Sequence, residues 1–504
     1  MRKLPASYPI ALLIAVFALL PFAVLVELAA DGGPWFDSHN IQVLINTLLL
    51  MVLTGVGAVL IGVPLAVLLA FVNVPFKRFW LVLFSAPLAL PSYLGAFTMY
   101  FSFGQGGELE TLFGVSFPAL EGLTGAALVM SLYTYPFVLM TTRSALLSVD
   151  TSMINAARTL GLPVMTCLWR LVLPRVVNSI AAGALLAVLY ALSDFGTPAI
   201  MGFDTFTRVI FVEYNAFGLS QAAMLSLQLM VLVGLVLFLE ARVKAHKERP
   251  GKPLSIWLSK TTVSAVLVLF LPVILLSIVL PLGIFVVWLL REGVSGFDLS
   301  FAWNSAYASM LAAIAAVVLA LPVAYAALAG RAGRIMERVT FLGFGVPGIV
   351  MGTALVYLGL KLPFLYQSLG LLVLAYVLRF LPLAVGTVRA TAESLDGSLT
   401  KAAKVLGASN FEAFWRVSVP LTTRGIVAGA ALVFLEAMRE LPATLMLGPT
   451  GFETLATYLW RVYEAGYFGR AAVPGLLLIL LSGLGLIIML SGERHADIVG
   501  DKEK

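Results

Sequence analysis

The sequence predicts an all-α integral membrane protein with about twelve transmembrane helices, arranged as two parallel six-helix repeats. Three observations support this fold class. Hydrophobic residues make up 61% of the 504 residues and charged residues only 12%, whereas soluble domains carry about a quarter charged residues. Apolar runs of about 20 residues, the length that crosses a bilayer, occur twelve times. A polar segment that begins at Asn155 returns 246 residues later at Lys401.

The apolar runs place the predicted spans along the whole chain. The first run is too long for the core of a signal peptide and lacks a clear cleavage site, so we interpret it as a span; a cleaved signal is the alternative. The predicted spans cover residues 9–30, 41–72, 80–103, 122–142, 176–200, 221–240, 262–290, 303–329, 339–360, 368–390, 422–447 and 470–491.

The positions of Lys and Arg predict the orientation of these spans, because basic residues concentrate in cytoplasmic loops. With the N-terminus inside, twenty-five Lys and Arg residues fall on the cytoplasmic side and five on the opposite side. We therefore expect both termini in the cytoplasm. The net charge of +6 is explained by this orientation, and we find no nucleic-acid-binding patch.

A basic stretch with Pro and Gly divides the chain into two halves. The predicted parts are a first repeat over 1–241, a cytoplasmic linker over 242–261 and a second repeat over 262–504. Six spans in each half give both halves the same orientation, which is a parallel repeat. The offset of 246 residues relates further positions: Pro136 and Pro382, Arg143 and Arg389, Trp169 and Trp415, Pro174 and Pro420, and Asp194 and Glu440.

Each repeated polar segment is predicted to be a short capped helix in a cytoplasmic loop. Asp150 or Ser152, and Asp396 or Ser398 in the second copy, are suited to cap its start, and Gly161 and Gly407 to end it in the left-handed conformation. The adjacent alanines offer a flat surface to another protein. The candidate docking residues are Asn155, Ala156, Ala157, Arg158 and Gly161, with Lys401, Ala402, Ala403, Lys404 and Gly407. Amphipathic helices that only lie on the membrane are the alternative.

At these residues the chain resembles the inner-membrane permeases of ABC importers. Their cytoplasmic coupling motif reads Glu-Ala-Ala, three residues, Gly, then nine residues and an apolar-x-Leu-Pro ending; here the endings are Leu171–Pro174 and Val417–Pro420. The motif occurs twice, and the resemblance covers nearly the whole chain. One departure is that Asn155 and Lys401 replace the motif's glutamate, which puts any specific salt bridge to the ATPase in doubt.

The resemblance implies the type I permease fold, a location in the inner membrane of a bacterial cell and a set of partners. We expect two copies of an ATP-binding-cassette ATPase docked on the two coupling helices, a periplasmic substrate-binding protein and the lipid bilayer. The chain contains no G-x-x-x-x-G-K-[ST] phosphate-binding loop, so it is not expected to be an enzyme. No cofactor is expected on this chain, and ATP and magnesium are expected on the partner ATPase.

The substrate is the least specific part of the prediction. Fused twelve-span permeases are most similar to ferric-iron importers, a likeness carried here by the stretch Leu192–Pro198 and by Phe203–Thr207 after it. Importers of thiamine and of aminoalkylphosphonates share the fused layout and are alternatives. A secondary transporter driven by an ion gradient also suits two parallel halves, but it would not require the repeated docking helix.

Ionisable residues inside predicted spans are candidates for the translocation path. These are Asp194 and Glu440, which the repeat relates, together with Glu436 and Arg439. Ferric iron prefers oxygen ligands, so the carboxylates suit it. The alternative is structural, because Glu436 and Arg439 lie three residues apart on one helix and Asp194 lies where its helix is expected to end. The histidines and the single cysteine form no metal motif, and no metal site is assigned.

Overall fold

The computed structural model describes residues 7–149, 151–243, 259–395 and 397–484, and these residues form helices and no β-strand. Eight helices in the described residues are long and apolar enough to cross a membrane, and eleven spans result if each of three bent helix pairs counts once. A shorter apolar helix, Phe468–Leu484, falls within the twelfth predicted span. The all-α membrane fold is confirmed. Most of the predicted linker and the end of the twelfth span lie outside the described residues.

The helices of the first half follow five of the six predicted spans closely, whereas the helix at the fifth, predicted over 176–200, is Met165–Ser193. They are α1 (Ser7–Ala29), α2 (Ser38–Phe71), α3 (Lys77–Ala89), α4 (Ser92–Ser102), α5 (Glu108–Phe113), α6 (Gly122–Ser148), α7 (Thr151–Thr159), α8 (Met165–Ser193), α9 (Gly196–Ile200), α10 (Phe206–Asn215) and α11 (Leu219–Arg242).

The second half repeats this order with three differences. Its helices are α12 (Lys260–Leu269), α13 (Leu271–Glu292), α14 (Leu299–Ala329), α15 (Arg331–Gly345), α16 (Gly348–Lys361), α17 (Leu369–Glu393), α18 (Gly397–Val405), α19 (Phe411–Leu421), α20 (Thr423–Met438), α21 (Pro442–Leu447), α22 (Leu455–Ala465) and α23 (Phe468–Leu484). It begins with an additional short helix, it has no counterpart of α5, and two helices, α19 and α20, correspond to α8.

Two predicted spans, 80–103 and 339–360, are bent rather than straight, and a third bend lies at the start of the predicted span 422–447. Helices α3 and α4 meet at 87°, α15 and α16 at 101°, and α19 and α20 at 67°. The first two bends occur at equivalent places, where Pro91 and Pro347 cap the second helix of each pair. Proline lacks the N–H that would continue the preceding helix and holds the residue before it in an extended conformation. Accordingly Leu90 and Val346 have extended backbones.

Equivalent polar contacts confirm that the two halves repeat one architecture. The side-chain amide of Asn46 on α2 donates to the carbonyl of Asp204 at 3.0 Å, and that of Asn304 on α14 donates to the carbonyl of Glu453 at 2.9 Å. The next residue on each helix, Thr47 or Ser305, has a hydroxyl that accepts a hydrogen bond from a backbone N–H. The donors are the first residues of α10 and α22. The repeated asparagine in each half therefore positions a backbone segment about 150 residues away in sequence.

The chain forms two compact units, and each unit contains residues from both sequence halves. One unit contains residues 1–33, 210–227 and 296–466, and the other contains 34–209, 228–295 and 467–504. The first unit joins α1 of the first half to most of the second half. The second unit joins α13 of the second half to most of the first half. The first full-length span of each sequence repeat thus belongs to the other repeat's compact unit.

Candidate functional site

The first docking segment is a helix with a well-defined end. Helix α7 ends where Gly161 adopts a φ of +87°, with the N–H of Leu162 bonded to the carbonyl of Ala157 at 3.2 Å and that of Gly161 bonded to Arg158 at 3.0 Å. These two hydrogen bonds form a Schellman motif, which requires a left-handed residue and so favours glycine. The predicted glycine end is confirmed.

The second docking segment ends in the same way. Gly407 has a φ of +93°, the N–H of Ala408 bonds to the carbonyl of Ala403 at 3.0 Å, and that of Gly407 bonds to Lys404 at 3.1 Å. Of the predicted caps at the helix starts, Asp150, Asp396 and the side chain of Ser398 lie outside the described residues, and Ser152 is exposed. Two equivalent helices with rigid ends are therefore present outside the spans.

The candidate docking residues differ in exposure within each segment. In α7, Asn155, Ala156 and Arg158 are exposed, whereas Ala157 is buried against its own unit. In α18, Ala402, Lys404 and Gly407 are exposed and Ala403 is half-buried, while the side chain of Lys401 lies outside the described residues. Only the first alanine of each pair is fully available to another protein.

The most exposed apolar side chains of these segments are not among the candidate docking residues predicted from the sequence. Leu160 is 84% exposed and Leu406, its equivalent in the repeat, is 87% exposed; Val405 beside it is 88% exposed. A single exposed leucine is ordinary, but here the same leucine is exposed at two equivalent loops. The signal was present in the sequence as an apolar residue kept at the repeat offset before each glycine.

A cavity lies beside the second docking helix. Its volume is about 400 Å³, and its lining includes Ala403, Leu406, Gly407, Glu412 and Arg416. Glu412 and Ser409 cap the start of the next helix reciprocally, with hydrogen bonds of 3.0 and 3.1 Å between each side chain and the other residue's N–H. The exposed Leu406 therefore lines a concave surface together with one acidic residue, Glu412, and one basic residue, Arg416.

The repeated Trp-Arg pairs lie in equivalent π-helical turns. Residues Leu168–Val172 and Phe414–Ser418 each form one such turn, and Trp169 and Trp415 are 66% and 48% exposed. A proline follows each turn by two residues, at Pro174 and Pro420. A π-helical turn changes the hydrogen-bond register just before a residue that cannot donate a hydrogen bond. This geometry places the tryptophans on the surface, as expected for residues at a membrane interface.

The path candidates Asp194 and Glu440 lie at equivalent breaks in the helices. The carboxylate of Asp194 accepts from the N–H of Thr197 at 2.9 Å and from the hydroxyl of Ser92 at 2.8 Å. That of Glu440 accepts from the N–H of Ala443 at 3.2 Å. Each carboxylate thus satisfies a free N–H at the start of the short helix that follows it, α9 or α21.

The second half adds two ion pairs around this break. Arg379 of α17 pairs with Glu440, whose side chain is only 6% exposed, and Arg439 pairs with Glu436 through a contact of 3.1 Å and a shorter one. A Cβ at Gly348 would overlap the Arg379–Glu440 pair, so the glycine makes room for it. These four residues therefore form two ion pairs, Arg379 with Glu440 and Arg439 with Glu436. Among the described residues, no three His, Cys, Asp or Glu side chains are grouped so that they could hold a metal ion.

Comparison with known proteins gives one family and several relatives. The family model described as the binding-protein-dependent transport system inner membrane component matches residues 62–243 and again 316–494. An iron(III)-transport permease of Haemophilus influenzae is 30% identical over 95% of this chain and 96% of its own length. A ferric transport permease of Actinobacillus pleuropneumoniae is 24% identical over 94% of this chain and 76% of its own.

Permeases for other substrates match one half of the chain at a time. A molybdate/tungstate transport permease of Pyrococcus furiosus is 26% identical over 46% of this chain and 90% of its own length.

Proposed function

The chain belongs to the family of binding-protein-dependent transport system inner membrane components, the permeases of ABC importers, and from this premise we propose that its substrate is ferric iron. The observation that carries the proposal is the full-length match to the iron(III) permease of Haemophilus influenzae, which includes both repeats. The fold is that of a type I permease and the family is that of ABC importers. Both argue against the alternative of a transporter driven by an ion gradient.

Import of an oxyanion is the second candidate, because molybdate/tungstate permeases also match. Two arginines, Arg379 and Arg439, lie at the break in the second half, and guanidinium groups suit oxyanions. Both arginines are paired with glutamates, however, and the half-length alignment supports the proposal less than the full-length one. Ferric iron therefore remains the favoured substrate.

The proposed partners follow from the paired docking surfaces. Two ATPase copies bind one each at α7 and α18, with Leu160 and Leu406 inserted into their surfaces, and ATP and magnesium are held by the ATPase. ATP binding favours one arrangement of the ATPase pair and so shifts the equilibrium between inward-open and outward-open states of the permease. A periplasmic binding protein delivers the substrate to the opposite face, and both termini lie in the cytoplasm.

The proposed path includes Asp194, Glu436, Arg439 and Glu440. The side chains of Glu436 and Arg439 are 32% and 22% exposed, and this partial exposure supports a place for them beside the path. Glu440 is buried and already paired with Arg379, so its proposed part in the path is to shape the break beside it, without direct contact with the cargo. A cargo that meets neutralised pairs is held weakly, as release to the cytoplasm requires.

The docking surfaces are tested by placing a charge on each exposed leucine. Leu160→Glu and Leu406→Glu should each lower the affinity for the co-expressed ATPase by at least about tenfold, because a charge would be buried at the centre of an interface. The measurement is recovery of the ATPase with the affinity-purified permease. Leu299→Glu is the matched control, since Leu299 is 74% exposed but lies at the start of α14. Undiminished recovery with both variants would refute the docking assignment.

The substrate is tested by uptake in a strain that lacks the gene. We expect ATP-dependent uptake of radioactive ferric iron to fall to background and to return on complementation, with molybdate uptake unchanged. Uptake of thiamine and aminoethylphosphonate is measured in the same strains. Loss of molybdate, thiamine or aminoethylphosphonate uptake with iron uptake intact would overturn the assignment to iron.

A further inference from the structure

Two loops outside the spans carry exposed apolar side chains. The first loop (residues 103–121) follows α4 and contains α5, and the second loop (residues 362–368) follows α16. One membrane-crossing helix, α6 or α17, separates each loop from the docking helix that comes next, α7 or α18. Both loops therefore lie on the membrane face opposite to the docking helices.

The apolar part of each loop is uncharged and well exposed. The segments Leu112–Phe117 and Leu362–Ser368 contain no charged residue. Phe113 is 71% exposed in the first loop, and Phe364 is 78% exposed in the second. The other exposed large apolar side chains of the two segments are Leu112, Val115 and Phe117, and Leu362 and Tyr366. A group of exposed apolar side chains indicates an interaction surface, whereas a single one does not.

The first loop is closed at its base. The N–H of Gly104 donates to the carbonyl of Phe117 at 3.0 Å, and the rings of Phe103 and Phe117 lie 5.8 Å apart. The exposed side chains are thus presented by a loop that is already ordered. Covering them therefore costs little additional conformational entropy.

Each loop is attached to the first span that its unit contains from the other sequence half. Glu108, at the start of α5, accepts a hydrogen bond from the indole of Trp288 at 2.7 Å and pairs with Arg291 at 2.7 Å, both near the end of α13. Lys361, which precedes the second loop, pairs with Glu27 near the end of α1. The ends of two membrane-crossing helices therefore fix the depth of the loops relative to the bilayer.

Exposed apolar side chains continue from these spans beside both attachments. Leu290, next to Arg291, is 81% exposed, and Val26, next to Glu27, is 61% exposed. Both lie on helices that are long and apolar enough to cross a membrane, so these side chains suit contact with lipid. The apolar surface of each loop thus begins where a surface suited to lipid ends.

The differences between the two loops favour lipid over a protein as the partner. The loops differ in length and sequence, and they share only the exposed phenylalanine and the ion pair to a span. A bilayer requires apolar area at the right depth and no particular shape. A protein partner requires a complementary shape, which two unlike loops do not both offer to one surface.

We propose that the two loops are membrane anchors, and that Phe113 and Phe364 insert into the boundary between the headgroups and the acyl chains on this face of the membrane. The two ion pairs set the depth of insertion. The anchors hold the ends of α4 and α16, the second helices of two bent spans, at the membrane surface. This inference does not depend on the proposed substrate or on docking of the ATPase.

The anchors are tested by lipid quenching of a fluorophore on the full chain in nanodiscs. Because Cys167 is the single cysteine, a Cys167→Ala background allows one label at a time. Bimane is attached to Leu112→Cys or Leu362→Cys, which leave both phenylalanines in place. Lipids with a nitroxide near the top of the acyl chain should quench these labels at least about threefold more than labels at Glu121→Cys and Thr450→Cys.

The control positions are exposed polar residues close to the loops. Glu121 is the last residue of the first loop, and the hydroxyl of Thr450 donates to the side chain of Gln367 in the second loop at 2.8 Å. Equal quenching at the loop and control positions would overturn the proposal and leave a protein as the partner of these surfaces.

Replacing each ring separates anchoring from general destabilisation, because each loop serves as the control for the other. Phe113→Ser should lower quenching at position 112 about threefold and leave position 362 unchanged, and Phe364→Ser should do the converse. Phe113→Leu and Phe364→Leu keep an apolar side chain and should retain the quenching. Undiminished quenching in both serine variants, or an equal loss in the leucine variants, would contradict the role of the rings.

The ion pair is tested in the same assay. Glu108→Gln keeps an acceptor for Trp288 and removes the charge that faces Arg291. It should lower quenching at position 112 about twofold, because the loop loses its fixed depth, and leave position 362 unchanged. Unchanged quenching at position 112 would refute the part of the proposal that assigns the depth to this pair.

Discussion

Asp194 and Glu440 show how two equivalent residues come to differ. Both carboxylates accept a hydrogen bond from the N–H three residues later. Their second partners are unlike, because Asp194 meets the hydroxyl of Ser92 and Glu440 meets the guanidinium of Arg379. The positions equivalent to Arg379 and Gly348 are Tyr133 and Ser92. The carboxylate therefore contacts a hydroxyl in the first half and a guanidinium in the second.

This difference predicts unequal effects of neutralising the two carboxylates. Asp194→Asn keeps an acceptor and should lower the free energy of unfolding by about 1 kcal/mol, as for a weakened helix cap. Glu440→Gln leaves Arg379 charged in a buried site and should cost about 3–5 kcal/mol. The measurement is thermal unfolding of the purified protein in detergent, and Glu440→Gln combined with Arg379→Gln should recover part of the loss. Equal losses for the two single variants would contradict this account.

At the scale of elements, the bent spans depend on burial that the sequence alone does not reveal. Helices α4 and α16 begin at equivalent prolines, and their residues are mostly buried within their own units. Irregular backbone is tolerated at membrane depth only where protein or an aqueous cavity surrounds it, because lipid offers no hydrogen bonds. The interrupted ends of these helices are thus kept away from lipid by the helices packed around them.

At the scale of the whole molecule, the compact units and the sequence repeats do not coincide. Residues 1–33 belong to the unit built mainly from the second half, and residues 228–295 belong to the unit built mainly from the first half. A fragment that ends at the linker therefore contains a complete sequence repeat but an incomplete compact unit. Its apolar surface is left without the first span of the other repeat.

This exchange of first spans predicts how the chain tolerates cleavage. Fragments 1–250 and 251–504 expressed together should assemble and support transport, because each supplies the span that the other's unit requires. Either fragment expressed alone should be degraded, and adding residues 251–298 to the first fragment should raise its recovered amount several-fold. Immunoblots of membranes after a block of synthesis measure this. Equal stability of 1–250 and 1–298 would contradict the prediction.

The sequence alone determined the features that depend on local pattern. The length and polarity of apolar runs predicted the spans, whereas the orientation inferred from basic residues stays a prediction. The repeated Ala-Ala and Gly at 155–161 and 401–407 predicted two helices with glycine ends, which the φ values of Gly161 and Gly407 confirm. Each of these properties is carried by residues close together in the chain, so it is visible without a fold.

Only the tertiary structure decided which distant residues meet. Arg379 and Glu440 are 61 residues apart, and Arg389 and Glu337 are 52 apart, so neither pairing follows from a helical spacing. The burial of Ala157, the exposure of Leu406 and the exchange of first spans likewise depend on which faces pack together. Apolar sequence is compatible with many packings, and the choice among them depends on the fit of side chains that lie far apart in the chain.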